Sequence, residues 1–563
     1  MNLRLGTVPT PDGVWFSVFS STRRQLHIDC EGQRFAMESG PDDVHRVFVP
    51  GIGDGAKYSV VVNGRLLMDP YAVEIDRPWG ATMPRAIVRE LPPAVEPRAP
   101  LFSPAGLIYE VPVRAFTMLH PEVPHQLRGT LRALLHPAVI RHFKNLRVSA
   151  VELMPIQAWI DEPHLRQLGL RNGWGYNSMN FMALDPRLAP GGLNDLREVV
   201  AGLHAEGIGV LLDVVFNHTG EHDDEQVVLS LRGLDERAYY RHDAAGRLLN
   251  ETGCGNAINC EHPAARRLVL DSLRHYVRYA GVDSYRFDLA PILGRTTHGF
   301  DSNAPFFQEL LADPLLRDRV LIAEPWDVGE GGYQLGRFPP PFLEWNDRYR
   351  DDVRRFWRGD EGTIGQFVTR IAGSADVFGP EPTRTVNFVA SHDGFTLRDL
   401  VSFTEKRNEA NGEQNRDGTS ANYSWEGQAD EVRVLLATLF ASRGAIMLTA
   451  GDEFGRTQRG NNNAYAQDNE ITWLDWAARD RELEEFTAEL ARLRDEFPQI
   501  GDPRFLLPEE VTWVQADGTP FDEDGWHSSH TGLVAMKLRG ITVIFDRLAE
   551  KRVAFVKEDA GGG

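Results

Sequence analysis

A chain of 563 residues, 42% apolar and 25% charged, is too long for one ordinary domain and has the balance of a globular protein with a large core. Its formal charge of -21 at pH 7 repels phosphate backbones and anionic lipid, which argues against nucleic acid and membrane surfaces as partners and leaves uncharged polymers compatible. The three cysteines, Cys30, Cys254 and Cys260, fit a reducing compartment and, with no second pair or spaced histidines to complete a zinc site, are expected as free thiols.

The start, Met1 to Pro11, has no apolar stretch of the length a signal peptide uses, and no run of about 18 uncharged apolar residues follows. A soluble, cytoplasmic protein is expected. Residues 13 to about 70 read as all-β: Val14, Phe16 and Val18 line one face of an alternating strand, and Asn63-Gly64 between Val60-Val61-Val62 and Arg65-Leu66-Leu67-Met68 marks a hairpin with a type I′ turn. This predicts an N-terminal β-sandwich over 1–83. Pro84, Pro92, Pro93, Pro97, Pro100 and Pro104 then crowd a stretch unsuited to a regular ladder or helix, a linker over 84–106.

From Leu107 the pattern changes to buried strands alternating with helices, the grammar of parallel βα units. Candidate strands are Leu107–Val111, Val148–Pro155, Ile208–Val215, Val282–Leu289, Val320–Glu324, Thr385–Ser391 and Ala445–Ala450. One more is required between Glu324 and Thr385, where no segment marks it. The helix before Ile208 carries Leu196, Val199, Val200 and Leu203 on one face and ends at Gly207; the next carries Leu268, Leu273, Tyr276 and Val277 and stops near Gly281. Eight such units predict a (β/α)8 TIM barrel over 107–504, whose reactive side chains belong at the C-terminal ends of its strands. After about Phe505 a short β unit over 505–563 is expected, built on Gly532–Lys537 and Ile541–Phe545, with a disordered Gly561-Gly562-Gly563 end.

Four segments place acidic residues and polar neighbours at such strand ends: Asp213-Val214-Val215-Phe216-Asn217-His218, Arg286-Phe287-Asp288, Ala323-Glu324-Pro325-Trp326-Asp327 and Ser391-His392-Asp393-Gly394. Glycoside cleavage through an oxocarbenium-like transition state needs one carboxylate as nucleophile and one carboxylic acid to protonate the leaving oxygen. Asp288 and Glu324 can fill those roles. Arg286, two residues before Asp288, projects to the same face and can hold the aspartate ionised. Glu324, between Ala323 and Pro325-Trp326, is expected against an apolar wall that disfavours its charge. The competing readings are a structural Arg-Asp ion pair and a surface glutamate.

In order and spacing these segments resemble the four signature regions of the α-amylase superfamily of glycoside hydrolases, and within it the bacterial glycogen debranching enzymes related to isoamylase; the likeness extends over residues 10 to about 500. The resemblance implies that Asp288 is the nucleophile, Glu324 the general acid/base, and Asp393 the group that grips sugar hydroxyls and stabilises the distorted ring. His218, His392 and Arg286 are implied at the same sugar, Tyr176 of Trp174-Gly175-Tyr176-Asn177 is implied to stack on it, and Asp213, Asn217 and Trp326 are implied as supports. Three further runs, Glu344–Asp352, Asn408–Gly418 and Gly460–Asn469, match the debranching group. The last two read otherwise as solvated Gly/Asn-rich loops. The N-terminal domain resembles the carbohydrate-binding-type module of these enzymes, including Asp69-Pro70-Tyr71-Ala72 at its exit, although the sequence marks no unambiguous exposed aromatic platform. The C-terminal unit is shorter than the family's.

The implied function is an intracellular hydrolase that cuts α-1,6 branch linkages of glycogen or limit dextrins with retention, through a covalent intermediate on Asp288. No organic cofactor is expected; calcium occurs in some relatives, but no ligand set for a metal can be assembled. The rivals are an α-1,4-glucan or trehalose-forming pathway (maltooligosyl-trehalose) hydrolase, a transglycosylating branching enzyme, and a non-catalytic glycogen-binding scaffold, which would have no need of all three carboxylates.

Overall fold

The structure is a computed structural model that describes residues 4–22, 25–40, 42–77, 80, 83–222, 227–379, 382–522, 525–526, 532–548 and 551–558. The Gly561–Gly563 end lies outside them. Two compact units result: Met1–Pro100 with Gly129–Leu135 and Leu153–Phe342, and Leu101–Arg128 with His136–Glu152 and Leu343–Gly563.

The first unit begins with two antiparallel sheets. One has the strand order Gly6–Thr10, Gly13–Phe19, Val44–Pro50, Glu38–Ser39; the other runs Gln33–Ala36, Leu26–Cys30, Lys57–Val62, Arg65–Leu67. Val14, Phe16 and Val18 are buried as the alternation predicts, against Leu26, Ile28 and Val60. Asn63 and Gly64 both have positive φ, 51° and 82°, in the expected hairpin turn. Gly6–Thr10 escapes a pattern search because Pro9 interrupts it, and it is tolerated as an edge strand that, among the described residues, pairs only with Gly13–Phe19. Within the proline-rich stretch, Ala86–Ile87 nevertheless pairs with Lys57–Tyr58. The outward face carries an aromatic pair that the sequence did not single out: Trp15 is 46% exposed with Phe48 at 5.2 Å. Ser230 Oγ donates to Met68 O and Asn180 Nδ2 to Asp69 O, which fastens the end of this module to the later part of its unit.

The eight strands Leu107–Val111, Val148–Leu153, Gly209–Val214, Ser284–Phe287, Val320–Ala323, Leu343–Trp345, Thr385–Asn387 and Ala445–Thr449 form a closed barrel in that order. The sixth is Leu343–Trp345, three residues in parallel register with Thr385–Val386. It is too short to show a period. Leu196, Val199, Val200 and Leu203 are buried on Leu193–Ala205, and Pro263–Ala280 is capped by Gly281 in the left-handed conformation, as expected. In the second unit, Thr512–Val514, Leu533–Leu538, Ile541–Asp546 and Arg552–Lys557 make a four-stranded antiparallel sheet. The three cysteines are free. No helix among the described residues is long and apolar enough to cross a membrane.

Inside the second unit, His142 on Pro137–Asn145 is buried between two carboxylates, with Nε2 at 2.8 Å from Glu453 and Nδ1 at 3.2 Å from Glu484. Tyr109 Oη donates to the same Glu453 oxygen at 2.6 Å. Burial alone would push the imidazole down, but the two carboxylates prevail and raise it to about 9. A raised histidine stabilises the fold fully below its unfolded value and loses that contribution as pH climbs through the folded one. Thermal stability should therefore fall between about pH 7 and 9, by on the order of 1–3 kcal/mol, and His142→Gln should flatten that slope. Melting temperatures of both proteins across this range check it; parallel slopes would contradict it.

Candidate active site

In the first unit the site is assembled around one guanidinium. Asp213 and Arg286 are register partners on adjacent parallel strands, so their side chains rise side by side. Arg286 Nη1 lies 2.9 and 3.1 Å from the two Asp213 oxygens, and both side chains are fully buried. The same nitrogen reaches Asp288 Oδ1 at 3.0 Å, while Nη2 is 3.1 Å from Glu324 Oε2. Burial would lower the guanidinium, but Asp213, Glu324, Tyr176 and Asp288 around it hold it well above its usual value. It is a permanent cation shared by three carboxylates.

The second Asp288 oxygen, Oδ2, accepts from Asn217 Nδ2 at 2.7 Å, and that amide also donates to Asp288 O at 2.9 Å. Asp213 therefore holds the arginine and Asn217 holds the aspartate. Glu324 departs from the apolar wall expected of it. Its Oε2 faces the Arg286 cation and accepts the Leu289 N–H at 2.7 Å. Leu289 has a φ of 40°, unusual for a bulky side chain, and is pinned there as Ala290 N donates to Glu324 O at 3.0 Å. Trp326 is half-buried two residues on. The Asp288 and Glu324 side chains each remain 12% exposed, enough for a ligand atom to reach them.

His218 Nδ1 is 2.5 Å from Asn217 Oδ1, and burial pushes the ring down to about 4. The imidazole is neutral at pH 7 and suited to hydroxyls. Tyr176 Oη donates to Asp213 Oδ2, and its ring lies 5.9 Å from Arg286 Cζ. The turn before it depends on Gly175, at φ +90°, where a Cβ would sit 3.0 Å from Pro155 O.

In the second unit, His392 Nδ1 is 2.7 Å from Glu110 Oε1, and Glu110 Oε2 accepts from Thr449 Oγ1 at 2.7 Å. Glu110 and Thr449 are register partners on the first and last strands. This chain fixes the His392 tautomer with its proton on Nδ1. Asp393 Oδ1 accepts from Ser391 Oγ at 2.5 Å. The two Asn-rich runs are anchored by buried amides: Asn408, Asn411, Asn461 and Asn462 are all at most 2% exposed, while Glu409, Ala410, Gly412, Gln414, Arg416 and Gly418 of the first run face solvent. Asn408 and Asn462 exchange two bonds of 2.9 Å, Asn461 Nδ2 donates to Asn411 Oδ1 at 2.9 Å, and Gly394 N, next to Asp393, donates to Asn462 O at 3.0 Å. Buried amides satisfied by one another make a rigid wall.

Several positioning residues were not anticipated. Glu110 and Thr449 could have been noticed as polar residues in otherwise apolar strands. Asn172 and Arg187 give no local signal. Asn172 Oδ1 accepts from Trp174 N and Gly175 N, its backbone N–H donates to Asp161 at 3.0 Å, and Arg187 binds Asp161 and Asp185 while lying 4.1 Å over Trp159. Together they hold the segment that carries Tyr176.

The family model "Alpha amylase, catalytic domain" matches residues 138–253. The chain is 41% identical over 576 residues to a glycogen debranching enzyme of Salmonella heidelberg, covering 92% of this chain and 87% of that one, and equally similar to that of Salmonella typhimurium. Among solved structures, pullulanase from Bacillus acidopullulyticus superposes with a TM-score of 0.77 at 25% identity, over 97% of this chain and 69% of the other. A type I pullulanase from Bacillus subtilis in complex with maltose gives 0.78 at 23%, over 99% and 84%, and speaks for the fold. With its barrel, its strand-end carboxylates and this extent of identity, the chain belongs to the glycogen debranching enzyme family of the α-amylase superfamily.

Proposed function

We propose that this protein hydrolyses the α-1,6 branch linkages of glycogen or its limit dextrins by double displacement with retention. The observation that carries the reading is the Arg286 guanidinium in contact with both Asp288 and Glu324. The cation and the Asn217 amide each hold one oxygen of the nucleophilic carboxylate and so fix its orientation for attack. On this reading Glu324 protonates the leaving oxygen, Asp288 Oδ attacks the anomeric carbon, and a water deprotonated by Glu324 then cleaves the ester and frees the sugar. Asp393 and His392 are assigned to the hydroxyls of the distorted ring, neutral His218 to a further hydroxyl, and Tyr176 to its apolar face. Both proton transfer and bond exchange fall to carboxylates, so the proposed reaction calls on no organic cofactor. A soluble enzyme acting on stored glycogen belongs in the cytoplasm. The family's glycogen debranching relatives support a branched α-glucan as substrate.

Bond choice is tested by digesting glycogen and linear amylose and following iodine colour and product chain length. Freed linear chains and deeper colour from glycogen, with amylose nearly uncut, are expected. Amylose shortened at a comparable rate would favour the α-1,4 reading and overturn this one.

A further inference from the structure

In the unit that holds Asp288, a cavity of about 670 Å³ lies along the helix Pro263–Ala280 and involves none of the residues described above as the site. Five of its lining residues are arginines and two are carboxylates, in a chain whose formal charge is -21. Three of the five are committed: Arg266 to Glu309 at 2.8 Å, Arg274 to Asp271 and Asp313 at 2.7 Å each, and Arg267 to Asp271 at 3.4 Å. Arg4 and Arg278 are exposed, and neither guanidinium has a hydrogen bond or ion pair with the described residues. Two cations without a partner among the described residues favour an anion at this cavity.

A second observation comes from His275, which lines the same cavity. It is 5% exposed, and its buried Nε2 has no hydrogen-bond partner among the described residues. Buried polar atoms are nearly always satisfied, so an orphaned one beside a cavity points to a ligand atom. Burial, then Arg4 and Arg278, push the imidazole down to about 3 and leave it neutral at pH 7. A neutral ring can offer Nε2–H to an anion's oxygen.

The cavity is far larger than a free phosphate needs. Tyr71 and Tyr279 add aromatic surface to its lining, and Asp271, which already accepts from Tyr71 Oη at 3.3 Å, supplies a carboxylate for hydroxyl groups. Apolar ring faces with a few placed polar groups suit a sugar. We propose that this cavity binds the phosphate monoester of a small sugar, with Arg4 and Arg278 neutralising the dianion, His275 Nε2 donating to it, and Tyr71, Tyr279 and Asp271 receiving the sugar.

Calorimetric titration of the full chain with glucose 6-phosphate, inorganic phosphate and glucose tests the proposal. Glucose 6-phosphate should bind and glucose should not, and raising the salt from about 50 to 300 mM should weaken binding severalfold. Arg278→Gln and Arg4→Gln, both at exposed positions, should each weaken it about tenfold while leaving the melting temperature and activity on glycogen unchanged. Inorganic phosphate binding as tightly as the ester, and sensitive to the same variants, would identify the free anion as the source of the same chemistry. Absence of binding by either anion at about 10 mM, glucose binding as well as its phosphate, or binding unaltered in both variants would each overturn it.

Discussion

Asp288→Asn is expected to lower debranching of glycogen by about 10⁴-fold or more, because the substituted amide cannot form the covalent ester that divides the reaction into two accessible steps. The replacement keeps the shape of the side chain, so the loss should not come from unfolding. It does disturb one contact. In the wild type Asp288 presents acceptors both to Arg286 Nη1 and to Asn217 Nδ2; an asparagine has only one carbonyl oxygen and must set a donor against a donor. A stability loss of about 1–3 kcal/mol is expected from that mismatch, seen as a few degrees in melting temperature with an unchanged circular dichroism spectrum. Substantial debranching by a folded, uncontaminated variant would refute the nucleophile.

Glu324→Gln should reduce hydrolysis of glycogen by about 10²–10⁴-fold, the usual scale of a lost general acid, yet leave the first step on an α-maltosyl fluoride nearly intact, since fluoride departs without a proton. The glutamine can keep the geometry, its carbonyl oxygen accepting from Leu289 N and facing Arg286 as the carboxylate oxygen does now. The comparison of the two substrates is therefore the informative readout. Equal losses on both would assign Glu324 to positioning.

Much of this architecture is legible in the chain because local signals and tertiary placement agree. The apolar runs that become barrel strands follow helices whose ends are marked by Gly207 and Gly281. The Arg286 to Asp288 spacing of two predicts a shared face, and their side chains are indeed paired. The failures have physical causes. Leu343–Trp345 is shorter than any period that could announce it. The chain neighbours of Glu324 predict an apolar wall, whereas its environment is set by Arg286 and Leu289, about 35 residues earlier and brought alongside by parallel pairing. Asn408–Gly418 and Gly460–Asn469 have the composition of exposed turns, but their amides satisfy one another across some 50 residues of sequence, which composition cannot report. Trp15 alternates with Val14 and Phe16 on its strand, and its exposure beside Phe48 depends on a pairing with Val44–Pro50 that no local window contains.

The most direct measurement is the capture of the glycosyl-enzyme. Wild-type protein is incubated with a 5-fluoro-α-maltosyl fluoride, whose good leaving group allows the first displacement while its ring fluorine slows the second, and the labelled peptide is then sequenced by mass spectrometry. A single sugar ester on Asp288, formed in the wild type and lost in Asp288→Asn, is the predicted result. Label on any other carboxylate, or turnover of the reagent to the inverted sugar with no ester formed, would contradict the double displacement and the place of Asp288 in it.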